Sequence, residues 1–412
     1  MTPIISTTPP EWIDPAITKW IGERQYLYIP LCNPPTKSVA LVSSRLARPL
    51  YRRSEWFASF RACLTTDIKT NRVILTSPKT TTYRFLKAYA RKHAVRLAST
   101  TICQKFSQWQ QKIRDASKVK TLECFISPST CIQQEAPASI VRLPLRDRVL
   151  IGGAHHVQII HCQENSKTQL LLDWRQRPVS YCEFDEPRTL IPSLHSRSRA
   201  NPDSPLALPP VPKWIIDKGI LAHWTRAVDG PWPQQSEDSW HNLLIDGHSL
   251  ADHSELATLF NIISKQCLLS SSHTIRGNHQ VVCLTAVPLS QWKRFHVYRP
   301  HLRRWDFCPY GLVFSPAAVQ RLQARQVHYG HESLWNSLTV EDRPFFQAID
   351  CNIDWQFEKE YRVIGDLDLE SFASHELVFF TKTLSEAQSL LPHSRWPVLP
   401  FEYLTESARI KS

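Results

Sequence analysis

Asp350-Cys-Asn-Ile-Asp-Trp-Gln-Phe-Glu-Lys-Glu-Tyr-Arg-Val-Ile-Gly-Asp-Leu-Asp-Leu-Glu370 combines many carboxylates with an aromatic and apolar alternation. Trp355, Phe357, Lys359, Tyr361 and Val363 fall on one parity, and Gln356, Glu358, Glu360, Arg362 and Ile364 on the other. A period of two predicts a strand that presents Glu358, Glu360 and Arg362 on one face. Such a face is either an ion-paired, solvated surface or a site, and the stretch alone does not decide between them.

The whole chain narrows the choice. Its 412 residues suffice for two or three domains, and 42% hydrophobic with 21% charged residues fits a folded protein. There is no apolar run of about 18 residues, so no membrane span is expected. The opening Met1-Thr-Pro-Ile-Ile-Ser lacks a basic segment followed by an apolar one, so no secretory signal is expected. Eleven cysteines without a Cys-x-x-Cys argue against a disulfide framework or a cysteine metal cluster, and imply mostly buried thiols in a reducing cytoplasm. Only ten glycines occur, and no Gly-x-Gly-x-x-Gly or Walker loop. An excess of 49 basic over 37 acidic residues, net +12, favours polyanionic partners, nucleic acid first among them.

Residues 1–35 read as a Pro-rich N-terminal extension with a short strand near Tyr26. Residues 36–186 alternate strands (39–42, 73–76, 95–97, 119–126, 157–160, 179–182) with helices (53–64, 83–93, 169–177). That alternation predicts an α/β, Rossmann-like parallel sheet covered on both faces. Residues 187–213 read as a Pro-rich linker, and 214–412 as an α+β domain of short strands and single helices. In a parallel sheet ligands sit beyond the carboxyl ends of the strands. That places Ser43, Ser44, Arg45, Thr76, Ser77, Lys79, Thr80, Thr81 and Thr82 around a phosphate or nucleotide, or else as hydroxyls that cap a helix. Val39-Ala-Leu-Val-Ser-Ser-Arg45 with Ile74-Leu-Thr-Ser-Pro-Lys-Thr-Thr-Thr82 resembles the SLOG/DprA superfamily. The resemblance implies a nucleotide-signal site at Ser44, Arg45, Thr76, Lys79 and Thr80.

In the second half, Leu221-Ala-His-Trp-Thr225, Val281-Val-Cys-Leu-Thr285, Tyr310-Gly-Leu-Val-Phe-Ser315 and Glu358-Lys-Glu-Tyr-Arg-Val-Ile364 follow one another in an order that resembles the ADP-ribosyltransferase-like fold, nearest to DarT-type and AbiGi-like proteins. The resemblance implies NAD as substrate and Glu360 as the catalytic carboxylate. His223, Thr225, Arg276 and Tyr310 would be the NAD-binding groups, with Tyr310 or Trp224 stacking on the nicotinamide. Breaking the nicotinamide bond builds positive charge on the ribose, which a carboxylate stabilises. Glu358 would then pair with Arg362 or face the acceptor.

Gln291 to Phe307 interleaves Lys293, Arg294, Arg299, Arg303 and Arg304 with aromatics, a pattern that suits phosphates and stacked bases of a single strand, or else an amphipathic loop with aromatics in the core. Among His241, Asp246, His248, Asp252, His253 and Glu255 no two histidines have the i, i+4 spacing of a helical zinc site, and His248 with Asp252, which do, are too few ligands; the segment reads as a polar loop, so no metal is expected. A metal-dependent nuclease needs a Glu-x-Lys, and Lys359 directly follows Glu358, which aims the two side chains oppositely on a strand, so a nuclease stays only an outside alternative. Two expectations follow: NAD-dependent ADP-ribosyl transfer to nucleic acid or protein by a defence or toxin effector, or an inactive relative that binds nucleic acid or a nucleotide.

Overall fold

The computed structural model describes residues 2–35, 37–46, 49–69, 72–129, 137–175, 177, 179–181, 207–272, 275–300, 304–349 and 355–409. The chain forms two compact units, residues 1–191 with 236–251, and residues 192–235 with 252–412. Most of the stretch expected to be a linker, 187–206, lies outside the described residues, as do Asp350–Asp354 and Arg303.

The first unit is built on an eight-stranded sheet. Its strands are β1 (Ile4–Ser6), β2 (Tyr26–Tyr28), β3 (Ser38–Ser43), β4 (Val73–Thr76), β5 (Leu97–Ile102), β6 (Glu123–Ile126), β7 (His156–His161) and β8 (Val179–Tyr181), in the order β1-β2-β6-β5-β4-β3-β7-β8. All neighbours from β6 to β8 pair in parallel, and β1 and β2 add an antiparallel edge. The α/β class expected from the alternation is therefore present. Both faces are covered, as a parallel sheet requires. Val39, Leu41 and Ile74 enter one core with Phe57, Phe60 and Phe85, while Ala40, Val42, Val73 and Leu75 enter the other.

Local chemistry explains the helices. Tyr83–His93 buries Phe85, Leu86 and Ala88 and ends in Arg91, Lys92 and His93, which complement its carboxyl-terminal dipole. The segment read as an N-terminal extension supplies β1, β2 and the buried Trp12, Ile13, Ile17, Trp20 and Ile21. Gly152 permits this packing, since a Cβ there would lie 2.4 Å from the Trp20 ring. Helices Phe106–Arg114 and Leu145–Gly153 were not expected. Neither was Glu237–Asp246, which replaces part of the expected polar loop. Trp240, Leu244 and Ile245 of that helix join the Phe57–Phe85 core. Cys63 is disulfide-bonded, whereas Cys103, Cys124, Cys162 and Cys283 are free thiols.

The second unit has a mixed sheet. Its strands are β9 (Leu221–Trp224), β11 (Val281–Thr285), β14 (Gly311–Phe314), β15 (Arg325–Gln326), β18 (Glu360–Ile364), β20 (Leu377–Thr381) and β21 (Val398–Pro400), and short ribbons pair β10 (Cys267–Leu268) with β19 (Leu367–Asp368), β12 (Tyr298–Arg299) with β13 (Arg304–Trp305), and β16 (His328–Gly330) with β17 (Phe346–Ala348). The sheet order is β15-β18-β11-β9-β14-β20-β21, antiparallel except for β20 and β21. One face buries Leu284, Leu312, Phe314, Val363 and Phe379; the other buries Ala222, Trp224, Val313, Val378 and Phe380. Helix Glu255–Lys265 covers the first face through Leu256, Leu259, Ile262 and Ile263, and the Ser254 hydroxyl caps it by accepting from Ala257 N. No helix among the described residues is long and apolar enough to cross a membrane.

The alternation expected from Trp355 onward is corrected. Trp355–Glu358 is a 3-10 turn, Lys359 takes a left-handed φ of 44°, and the strand starts only at Glu360. Glu358 and Glu360 therefore do not share one strand face.

Candidate active site

β18 sets the site. Cys283 lies opposite Arg362, and Thr285 lies opposite Glu360 on one side and Ala222 on the other. Directly opposed residues share a face, so Glu360, Arg362, Cys283 and Thr285 project together, while Tyr361 and Val363 alternate into the apolar core. Arg362 is 1% exposed and all its donors are engaged. Its Nε and one Nη reach the two Glu360 oxygens at 2.8 and 3.2 Å, and the remaining bonds go to the carbonyls of Pro344 and Phe346 and to Gln347 Oε1. Arg362 thus pairs with Glu360, not with Glu358 as the sequence suggested. The result is a carboxylate held in one orientation by a bidentate partner that has no freedom of its own. The Glu360 side chain keeps 17% exposure.

Glu358 belongs to a second set. Its carboxylate lies 3.8 Å from Arg299, which also bonds Asp306 at 3.2 Å, and Asp306 in turn lies 3.7 Å from Arg226. Burial is the main reason that Glu358 is pushed up to about 7; Asp306 and Glu360 add to it, and Arg226 and Arg299 oppose it. A carboxyl that changes charge near neutrality therefore stands beside one fixed by an arginine. Burial also holds the Cys283 thiol up at about 12, with Glu360 adding to the effect, so it stays protonated. The Thr285 hydroxyl donates to the Glu358 carbonyl and fixes the turn that carries this carboxyl.

His223 is not brought onto the face of Glu360: it neighbours Ala222 along β9 and lies opposite Leu312, on the face that buries Leu284 and Val363. The β9–β11 ladder has the single pair Thr285–Ala222, and beside it His223 Nδ1 donates to the Cys283 carbonyl at 2.9 Å, a side-chain bond in place of a backbone one. Nδ1 must carry the proton to do so, which leaves Nε2 as an acceptor. Burial lowers the His223 pKa to about 4, and Arg226 lowers it further, so the ring is neutral.

The other expected NAD-binding groups are spent on the fold. The Tyr310 hydroxyl donates to Glu386 at 3.0 Å, and Thr225, 1% exposed, donates to the Glu255 carbonyl. Arg276 forms two 2.6 Å bonds to Glu332 and lies over the Trp335 ring. Trp224 is buried against Phe307, Phe380 and Phe401. Gly311 is required by close approach, since a Cβ there would sit 2.0 Å from the His223 carbonyl oxygen.

In the basic stretch, Lys293 and Arg294 are exposed, Arg299 is turned into the Asp306–Glu358 set, and only the backbone of Arg304 is described. Phe307 is core and Trp292 and Phe295 pack on it, whereas Tyr298 and Trp305 are exposed. In the first unit, the hydroxyls expected to meet a ligand turn inward. Ser44 binds Gln163 N, Thr82 the Leu41 carbonyl, Ser77 the Thr100 carbonyl and Thr80 the Ser77 carbonyl, and Thr76 is fully buried. Arg45 and Lys79 are exposed, Lys79 at a φ of 69°.

A cavity of about 550 Å³ lies at the far ends of β11 and β18 from Glu360, lined by Gln234, Ser270, Ser271, Ser272, Gln280 and Asp366. Its described lining residues include no cation for a pyrophosphate and no aromatic ring for a base. Arg226, Asp306 and Cys283 were not singled out from the sequence. Asp306 did carry a signal, as the lone acid in the basic run from Gln291 to Phe307. Comparison with family models, with curated proteins and with solved structures gives no match to this chain.

Proposed function

We propose that the second unit transfers ADP-ribose from NAD to a nucleic acid or protein acceptor, or to water as an NAD glycohydrolase. The first unit would be a Rossmann-like sensor of a nucleotide, and the whole chain a phage-defence or toxin effector. The observation that carries the reading is Glu360, a partly exposed carboxylate fixed by the fully engaged Arg362.

The chemistry needs these groups. The C–N bond between ribose and nicotinamide breaks, its electron pair leaves with nicotinamide, and the ribose carbon becomes cationic. Glu360, oriented by Arg362, stabilises that cation and accepts a hydrogen bond from a ribose hydroxyl. An acceptor oxygen or nitrogen then forms the new bond and loses a proton. Glu358 can take that proton, because its affinity for one lies near neutrality.

A second reading, an inactive relative that binds nucleic acid or a nucleotide, is favoured by one observation: Tyr310, Thr225 and Arg276 all spend their polar groups on other residues. NAD labelled in the nicotinamide, incubated with the full chain and with single-stranded DNA, RNA and mixed protein as acceptors, separates the two. Released nicotinamide that disappears in Glu360→Gln supports transfer. Neither binding nor turnover of NAD, with all acceptors present, ends the first reading.

A further inference from the structure

Helix Glu237–Asp246 sends Trp240, Leu244 and Ile245 into the core of Phe57, Phe60 and Phe85. His241 goes in with them. It is 1% exposed, and it meets the Phe85 ring in a T-shaped contact with centroids 4.9 Å apart. Neither of its ring nitrogens has a hydrogen-bond partner among the described residues. A neutral imidazole carries one donor and one acceptor, and burying both unpaired costs free energy that the apolar contacts around it must offset. An apolar residue at this position would carry no such cost. The imidazole therefore weakens the docking that the rest of the helix face provides.

The charged groups brought by the neighbouring elements give the ring no anionic partner. On helix Tyr83–His93, Arg84 opposes a positive imidazole, while Arg91 and Lys92 are paired with Asp238 and Asp246. Tyr89 of the same helix lies within the field of Asp246 and Lys92. Helix Ser54–Lys69 brings Arg61, whose guanidinium donates to the Ile245 carbonyl. The turn Ser249–Ala251 carries no charged residue. Asp238, on the helix of His241 itself, favours the charged ring, with less effect than burial and Arg84 have against it. Burial first, and Arg84 next, lower the His241 pKa from 6.5 to about 4. Below pH 6.5 a released helix takes up a proton that the docked one refuses. Docking therefore weakens as pH falls below 6.5, and the loss levels off only near pH 4.

We propose that His241 makes helix Glu237–Asp246 an acid-released clasp, docked on helices Ser54–Lys69 and Tyr83–His93 while the ring is neutral and let go once the ring is protonated. Residues 236–251 lie in sequence between two stretches of the second unit. Release thus lengthens the free connection between β9 and helix Glu255–Lys265. The inference is independent of the NAD reading, since every group that acts on His241 belongs to the first unit.

Amide hydrogen exchange of the full chain, read by mass spectrometry on a peptide spanning 237–246 and corrected for the intrinsic effect of pH, measures the opening. With a ring pKa of 6.5 when released and about 4 when docked, the opening constant should rise about 30-fold between pH 7.5 and pH 5 in wild type. His241→Leu should show no such rise, and neither should helix Leu145–Gly153 of the same unit in wild type. A second measurement needs no variant: exchange of the histidine C2 hydrogens, followed by mass spectrometry, titrates His241 in wild type, and its midpoint should fall well below 6.5. No rise in wild type overturns the proposal. So does a rise of the same size in His241→Leu or in helix Leu145–Gly153, or an ordinary midpoint for His241.

Discussion

Replacing Glu358 by glutamine removes a carboxyl whose protonation the fold controls. Burial, with Asp306 and Glu360 beside it, raises its pKa from an ordinary 4.5 to about 7, against the pull of Arg226 and Arg299. Between those two values the folded protein keeps a proton that the unfolded chain has released. Stability therefore falls as pH rises through that window, because the folded state binds more protons there. At about 1.4 kcal/mol per pKa unit, the shift costs about 3 kcal/mol by pH 8. Glutamine has the same shape and no charge to lose. Glu358→Gln should match wild type near pH 4.5 and exceed its stability by up to about 3 kcal/mol at pH 8. Urea unfolding followed by tryptophan fluorescence at both pH values measures the difference. A difference that is the same at both pH values, or a variant that loses stability relative to wild type as pH rises, would refute the assignment of Glu358 as a carboxyl held protonated by burial.

Arg362→Met leaves Glu360 without its partner and two carbonyls without donors, and should cost about 3–5 kcal/mol in urea unfolding; an unchanged midpoint would mean that the bidentate pair is not formed. Gly311→Ala forces a Cβ against the His223 carbonyl and should cost about 1–3 kcal/mol by thermal unfolding, with a weakened β9–β14 ladder visible as faster amide exchange at Thr225. If Lys293 and Arg294 contact a single strand, replacing both by alanine should lower the slope of log affinity against log salt by about 1.4 for single-stranded DNA. An unchanged slope would place the contact elsewhere.

Much of the scaffold was legible because its signals are local. The apolar runs Val39–Val42 and Val73–Ile74, helix Tyr83–His93, and strands Val281–Thr285 and Gly311–Phe314 stand where their patterning put them. Period two could not show that Lys359 is left-handed, so the alternation was carried five residues too far, through the turn that holds Glu358. Helix Glu237–Asp246 was hidden by histidines and acids that looked like a loop. Yet Trp240 and Leu244 have helical spacing, and the Ser236 side chain caps the helix by accepting from Ser239 N. The hydroxyls of Ser44, Ser77, Thr80 and Thr82 drew attention by type. Short side chains of this kind often satisfy backbone groups instead, and these do, Thr80 within its own turn and Ser44, Ser77 and Thr82 across neighbouring elements. Arg226, Asp306 and Glu358 converge from segments about 50 to 80 residues apart, and no periodicity carries that information.

The central claim is that Glu360, fixed by Arg362, stabilises a ribosyl cation. Release of labelled nicotinamide by wild type and by Glu360→Gln, with folding of both checked by circular dichroism, tests it most directly. Removing the carboxylate is expected to slow release by about 100-fold or more while leaving the fold intact. Equal rates in the two proteins would contradict the assignment of Glu360, and no release from either with acceptors present would contradict NAD chemistry at this site.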